Sequence, residues 1–523
     1  MNSDKLTTGE IYARYDVLLK KVEHWVASRN PHIANCDDEH VRARIVQRFV
    51  ELTNEAFTQR LVLGTAGATD TGRQPGQLDL GGIKICTTTG RIKISPRLIV
   101  SNLLLFFVTW AHALLFLFIS FFRNCPAKSD SATLLMEGGG IDSDDSRLVK
   151  FCRHGKITPL LDASNVIVKT RTPPQSLTDP GFFYTGHPLL FLVSKLVSRP
   201  TRLMLITRQL LTPVFYLRAL FANPLNLLLG RDLAVLPVVR ALDQARLIDA
   251  VIVTTSAFAT QFLWMNGLSD KNFKLHMIWY SQNFIPKTYK GELQGSNLPA
   301  ARMMRVDEHW VWTEGFKAYL QTLGQHSDIR VIGPILWYLP EGQRVFDNDN
   351  IKVAVFDITP VIDDKAIFGA AKNYYSQDTI KKFVADVTSV CKRLSADGGR
   401  EIQVLLKHKR MPIRGRHDAD YVAFLEKLEQ DEAHFSMIDH RTNMFDLLAQ
   451  CDISVSVPYT STAYVSAHLK KPGIYYDPYA ELVPKYESNE FVSFASGTEE
   501  LEQLLVSFLA YRLNVGNDGV IER

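Results

Sequence analysis

The sequence lacks most of the marks that name a chemistry outright. Its six cysteines, Cys36, Cys86, Cys125, Cys152, Cys391 and Cys451, stand far apart, with no C-x-x-C pair and no Cys/His cluster. That spacing argues against a disulfide framework and a structural zinc site, and predicts buried thiols in a reducing compartment. No G-x-x-x-x-G-K-[ST], G-x-S-x-G or H-E-x-x-H occurs, which argues against P-loop nucleotide hydrolysis, serine hydrolysis and zinc proteolysis. Net charge is also scarce. Lys and Arg number 59 against 55 Asp and Glu, leaving +4, too little to announce a nucleic-acid partner. The opening residues MNSDKLTTGE contain no apolar h-region and predict no secretory signal. There is no internal repeat, and 30 glycines and 23 prolines among 523 residues exclude collagen-like and low-complexity chains.

What the chain does have is core. Hydrophobic residues make up 46% and charged residues 22%, enough for about three domains of roughly 150 residues. Residues 1–97 read as a helical region and linker. Tyr12, Val17, Leu18, Val22 and Trp25 form one helical stripe, and Val41, Ile45, Phe49, Leu52 and Phe57 a second. A Gly/Thr/Gln linker follows over 64–78, then two short strand-like IKI runs at 83–85 and 92–94.

Two stretches are poor in charge. Leu98 to Phe122 carries no formal charge apart from the titratable His112, and Arg97 and Arg123 bracket it. It is long enough for a bilayer core, so 98–123 is expected to be a hydrophobic membrane segment, with an in-plane helix or a buried core helix as the other readings. Gly181 to Arg231 contains no Asp or Glu but carries Lys195, Arg199, Arg202, Arg208, Arg218 and Arg231. Prolines 188, 200, 213 and 224 are expected to cut it into short helices, none long enough to span. Basic apolar helices suit the anionic cytoplasmic leaflet, and a packed helical insertion is the alternative.

The remainder alternates strand and helix. Strands are predicted at 133–136, 166–168, 250–254, 275–280, 309–312 and 330–332. A second series follows at 352–356, 403–407, 435–438, 453–457 and 473–476, with helices between. Alternation of this kind predicts parallel sheets covered by helices. The expected fold class is therefore α/β with two Rossmann-like domains, 131–335 (with 181–231 as an insertion) and 351–523. Ligands of such sheets sit beyond the carboxyl ends of the strands.

The most informative run is Cys451 to Tyr479, CDISVSVPYTSTAYVSAHLKKPGIYYDPY. A strand enters Pro458-Tyr459-Thr460-Ser461-Thr462, and a helix begins there. Its hydroxyls can cap the helix, and its N–H groups with the helix dipole can receive an anion. Strand, Ser/Thr-rich turn, helix and then K-P-x-I-Y-Y-D resembles the donor half of GT-B glycosyltransferases, most of all those of bacterial surface polysaccharides, including Kdo- and sialic-acid-transferase-like groups. The resemblance covers about 300–490. It implies a donor phosphate at Ser461 and Thr462 with Thr460 and Ser456 nearby, and Gly333 on an interdomain loop that touches the nucleotide.

Other residues fit that frame. Lys407, Lys409 and Arg410 follow a strand and suit a diphosphate or a sugar carboxylate. Asp439 and Arg441 close the next strand and could meet base or ribose. An inverting GT-B enzyme needs a base for the acceptor hydroxyl. Glu137, Asp142, Asp144 and Asp145, after the strand at 133–136, are candidates, with Glu314 as a secondary one. Tyr280, Gln282 and Asn283 are acceptor-binding candidates. Asp142-Ser143-Asp144 matches the D-x-D of metal-dependent GT-A enzymes, but no metal is expected in a GT-B architecture.

The expected activity is transfer of a sugar from a nucleotide-sugar donor to a cell-surface polysaccharide or lipid-linked glycan. The donor base is open, a CMP-sugar being one candidate, and no other cofactor is invoked. Membrane lipids are expected partners and nucleic acid is not. The expected location is the cytoplasmic face of the inner membrane, integral or monotopic. A GT-B-like epimerase, a polyol-phosphate transferase and a non-catalytic assembly scaffold are the alternatives.

Overall fold

Strands buried on both faces read as continuous apolar runs, because every side chain meets a helix layer. The strand Ile351–Phe356 is such a run. Val353 and Val355 enter one apolar cluster, while Ala354 and Phe356 enter another on the opposite face. The computed structural model describes residues 8–63, 77–80, 83–86, 92–136, 157, 161, 165–169, 181–254, 261–279, 287–291, 303–324, 327–334, 350–360, 376–408, 417–485 and 489–517.

The N-terminal stripes form helices Thr8–Arg29 and Asp38–Leu63. These are part of the first large body, not an appendage. Gln47 Nε2 donates to the Met303 carbonyl at 2.6 Å, and the buried Arg44 pairs with the buried Asp232 at 3.0 Å. Strands β1 (Gln77–Leu80), β2 (Ile83–Cys86) and β3 (Ile92–Ile94) make a small antiparallel sheet. The two IKI strands are thus present, and β1 is an addition.

The first large sheet holds β4 (Ala132–Leu135), β5 (Val166–Lys169), β6 (Phe182–Thr185), β7 (Ile248–Val253), β8 (Lys274–Ile278), β9 (Glu308–Val311) and β10 (Asp328–Val331). All run parallel in the order β10-β9-β8-β7-β4-β5-β6. The second holds β11 (Ile351–Phe356), β12 (Ile402–Lys407), β13 (Phe435–Ile438), β14 (Ile453–Ser456), β15 (Gly473–Asp477) and β16 (Val492–Ser496), also parallel, in the order β13-β12-β11-β14-β15-β16. Numbered within each sheet, both begin 3-2-1-4-5-6, the Rossmann order. The two-sheet α/β expectation holds. β6 and β16 were not foreseen.

The insertion departs from expectation. Prolines 188, 200 and 224 do sit at helix starts, where a missing N–H costs nothing. Pro213, however, lies inside an unbroken helix, Arg199–Ala222. Proline there cannot donate to the carbonyl four residues back, which belongs to Gln209. Trp110 Nε1 takes that carbonyl at 2.8 Å from the neighbouring helix Pro96–Phe121. The neighbour's indole replaces the lost bond, and the helix continues.

Candidate active site

Each large sheet has a switch point where the chain turns from one side to the other, and a crevice opens there beyond the carboxyl ends of the strands. In the second sheet it lies between β11 and β14. Register sets what stands at its rim. Phe356 pairs with Lys407 on one side and Ser456 on the other, Lys407 pairs with Ile438, and Ser456 pairs with Tyr475. Lys407 and Ser456 therefore flank one residue in the same row, about 10 Å apart at two strand spacings.

Beyond Ser456 the chain makes a tight turn. Thr460 N–H donates to the Val457 carbonyl at 3.3 Å, and Tyr459, third in the turn, has φ +63. With Pro458 second and a positive φ third, this is the pattern of a type II turn. A side chain in that region costs roughly 1–2 kcal/mol, so something must hold Tyr459 there. Its ring is buried, and its hydroxyl donates to the Val483 carbonyl and accepts from Lys485 N–H, each at 3.0 Å. The Tyr475 hydroxyl fixes the next carbonyl, that of Thr460, at 2.6 Å.

The helix Ser461–His468 starts from this turn. Thr460 is its N-cap by position, yet its hydroxyl does not cap. It donates back to Val457 at 2.8 Å. One proton per hydroxyl then fixes a direction. Thr462 donates to Thr460 (3.1 Å) and Ser456 donates to Thr462 (2.6 Å). Ser456, Thr460 and Thr462 are thus brought together as one hydroxyl chain that braces the turn. An anion at this turn would be received by the backbone N–H groups of the first helical turn. Gly473 lets that helix sit close to β15. A Cβ there would meet the Ala463 carbonyl oxygen at 2.9 Å.

On the other side of the crevice, Lys407 is buried and its ammonium donates to the His440 carbonyl at 2.9 Å, tying the end of β12 to the loop after β13. In that loop Asp439 accepts from Arg441 N–H at 2.7 Å, and this bond holds the carboxyl below its ordinary value. Asp357, the residue after β11, is fully buried. It accepts from the Tyr421 hydroxyl at 2.8 Å and contacts His408 Nδ1 at 3.1 Å. Burial, then the Asp357 carboxylate, holds the Tyr421 phenol well above its ordinary value, so it remains a donor. Sequence reasoning passed over Asp357, His408 and the Tyr459 hydroxyl. An Asp directly after the apolar strand IKVAVF was the one available signal.

Two first-body candidates are visible. Gly333 follows β10 with φ +78, a left-handed turn that favours glycine. Glu314 opens the helix Glu314–Thr322, with its side chain 70% exposed and paired to Lys317 at 3.6 Å. That is the solvated first-turn position a helix dipole favours. Glu137, Asp142, Asp144, Asp145, Tyr280, Gln282, Asn283, Lys409 and Arg410 lie outside the described residues. Among the described residues no group of three His, Cys, Asp or Glu could hold a metal ion.

The two bodies meet beside this crevice. After β8, Thr288–Lys290 runs against Glu481–Val483, which follows β15. Lys290 N–H donates to the Glu481 carbonyl (2.7 Å), Val483 N–H to the Thr288 carbonyl (2.8 Å), and Lys485 Nζ to Thr288 Oγ1 (2.9 Å). Lys287, next to this contact, has its ammonium pushed down to about 7 by burial. The segment 483–485 thus grips the first body on one side and Tyr459 on the other.

Fold and site together define a double-Rossmann α/β protein with a turn braced by a hydroxyl chain at the switch point of its second sheet. Residues 215–505, more than half of the chain, match the family described as "Polysaccharide biosynthesis PFTS motif protein", and the chain belongs to that family. The turn Pro458-Tyr459-Thr460-Ser461 lies within the matched residues. No curated protein matches. Among solved structures, the chain is similar to Anabaena HepE in complex with UDP (12% identity, 73% of this chain and 90% of that one, TM-score 0.39). It is similar to E. coli heptosyltransferase WaaC with ADP-2-deoxy-2-fluoro heptose (13%, 72% and 99%, 0.31). It is similar also to the wall teichoic acid polymerase TagF with CDPG (10%, 78% and 85%, 0.35). The two strand orders, both beginning 3-2-1-4-5-6, themselves define the fold.

Proposed function

We propose that this protein is a glycosyltransferase of polysaccharide biosynthesis. It moves a sugar from a nucleotide-sugar donor to a cell-surface polysaccharide or lipid-linked glycan at the cytoplasmic face of a membrane. The observation that carries the reading is the row Lys407-Phe356-Ser456 at the switch point, with the Pro458–Ser461 turn and a helix start directly beyond it. A departing nucleotide phosphate gains negative charge as the glycosidic bond breaks. Donors fixed before the reaction stabilise that charge without reorganising. The N–H groups at the start of Ser461–His468 are such donors, held by the hydroxyl chain and the Tyr459 hydroxyl. Lys407 adds a buried positive charge across the crevice. The base for the acceptor hydroxyl is assigned to an acidic residue of the first body, and the exposed Glu314 is the weaker candidate because water already solvates it.

The test is a thermal-shift panel of UDP, CDP, ADP, GDP and CMP, followed by transfer assays with the matching nucleotide sugars. A ligand at 100 times its Kd adds about 2.7 kcal/mol to apparent stability. One nucleotide class is expected to shift the folded protein. The shift should fall in Ser461→Pro, which removes an N–H at a position that tolerates proline, and in Lys407→Met. If no nucleotide shifts it, a non-catalytic scaffold becomes the leading reading. Epimer formation without acceptor would point to an epimerase.

A further inference from the structure

The structure places the hydrophobic segment and the basic insertion together. Pro96–Phe121 and Arg199–Ala222 lie antiparallel. Phe106 stacks on Tyr216 (centroids 3.8 Å apart), Trp110 and Gln209 exchange two hydrogen bonds, and Arg202 donates to the Ser120 carbonyl. Arg202, though charged, is wholly buried. Its guanidinium also serves the Arg123, Ser194 and Val197 carbonyls, so it closes the carboxyl ends of two helices.

One face of this pair is packed along its whole length, from Asn102 to Ser120 on one helix and from Arg202 to Ala219 on the other. The opposite face is apolar and open. Leu104, Val108 (65% exposed) and Leu115 stand on the first helix, and Leu211, Val214 and Phe221 (88% exposed) on the second. Both ends of the pair return to folded protein. At one end Asn223 bonds the Arg29 carbonyl and Arg48 bonds the Leu228 carbonyl. At the other, Ser198 N–H bonds Ser129 Oγ shortly before β4. At ~39 and ~36 Å, each helix is long enough to cross a bilayer, but a bilayer could not enclose a pair whose two ends and one whole flank are held in the same folded body.

We propose that this pair is a monotopic docking face lying in the plane of an anionic lipid leaflet, and that Leu98–Phe122 does not span. The inference rests on the membrane part of the proposed function and not on its transfer chemistry. Charge selects the occupant. Residues 80–129 and 181–231 contain no Asp or Glu, while Arg97, Arg123, Lys195, Arg208 and Arg218, on the two helices or close to them in sequence, are exposed. Anionic headgroups complement these cations. A second copy across a two-fold axis would set the same cations against each other.

The experiment is co-sedimentation of the full chain with vesicles of phosphatidylcholine alone or mixed with phosphatidylglycerol, followed by an alkaline carbonate wash. Circular dichroism and analytical ultracentrifugation serve as controls. Binding to the mixed vesicles is expected, with release by carbonate and weakening in high salt. Arg208→Glu with Arg218→Glu should lower binding roughly tenfold or more. Leu115→Glu with Leu211→Glu, both at exposed positions, should abolish it while the helical spectrum is kept. Retention through carbonate would overturn the in-plane reading in favour of a span. A folded protein that ignores both vesicles would overturn lipid docking, and a dimer abolished by the Glu pair would assign the face to a second copy. None of these outcomes touches nucleotide binding, which the thermal-shift panel reads separately.

Discussion

Tyr459 shows how much one hydroxyl can be asked to do. It holds a strained position in the Pro458–Ser461 turn by two hydrogen bonds to the segment that also grips the first body. Tyr459→Phe is expected to fold and to lose about 1–2 kcal/mol, at about 1 kcal/mol per bond. If the turn receives the donor, KM for the nucleotide sugar should rise more than kcat falls, because binding rather than chemistry is loosened. An unchanged KM would show that the turn is rigid without the hydroxyl. The cysteines give a second test at this scale. Burial pushes Cys36, Cys391 and Cys451 up from 9.0 to about 12, whereas Cys125 is partly exposed. Among these four, only Cys125 should react with iodoacetamide in the native protein at neutral pH, as peptide mapping would show. The buried three bind their protons more tightly folded than unfolded. Their contribution to stability is therefore full below about pH 9 and is lost as pH rises toward about 12.

Elements in this chain are completed by their neighbours. Pro213 would leave the Gln209 carbonyl unpaired, and Trp110 from another helix pairs it. Trp110→Phe keeps an aromatic ring but strands that carbonyl. It is expected to cost about 1–3 kcal/mol in a denaturant titration, and the cost should shrink when Pro213→Ala restores the local bond. The donor-side helix has the converse dependence on space. Gly473 sits against the Ala463 backbone, so Gly473→Ala must push the Ser461–His468 helix away from β15. A loss of about 1–3 kcal/mol is expected from such overpacking, together with weaker nucleotide binding in the thermal-shift panel. Stability lost with binding intact would mean that the Pro458–Ser461 turn is positioned by Tyr459 and Tyr475 alone.

At the scale of the molecule, one apolar cluster continues from the N-terminal helices through the first sheet to the inner face of the second, taking in Ala354, Phe356, Leu405, Phe445 and Tyr475. The outer face of the second sheet has its own cluster with Ile380, Val387 and Leu505. Part of the second body's core is thus shared with the first. Calorimetry of the full chain is expected to show one cooperative transition, and a nucleotide that binds at the switch point should move all of it. Two separated transitions, only the later one nucleotide-sensitive, would show that the shared cluster does not couple the bodies.

The sequence by itself determined the α/β class, most of the strands, the helix that follows the Pro458–Ser461 turn, and the two apolar stretches without acidic residues. Each is written in local periodicity or composition, which a chain carries wherever it folds. β6 and β16 escaped because FFYT and VSFAS are short runs that owe their strand state to a neighbouring edge. Gly333, Lys407 and the Ser456–Thr462 turn were legible as residue types after strands. Only tertiary structure decided that Lys407 and Ser456 share a row, that the Thr460 hydroxyl braces the turn instead of capping the helix, and that Asp357 orders His408 and Tyr421. It likewise decided that Pro213 leaves its helix whole, and that the apolar helix has a partner and a packed flank. These depend on which distant groups meet, and a hydrogen bond or an exposed face has no meaning until the fold has chosen the neighbour.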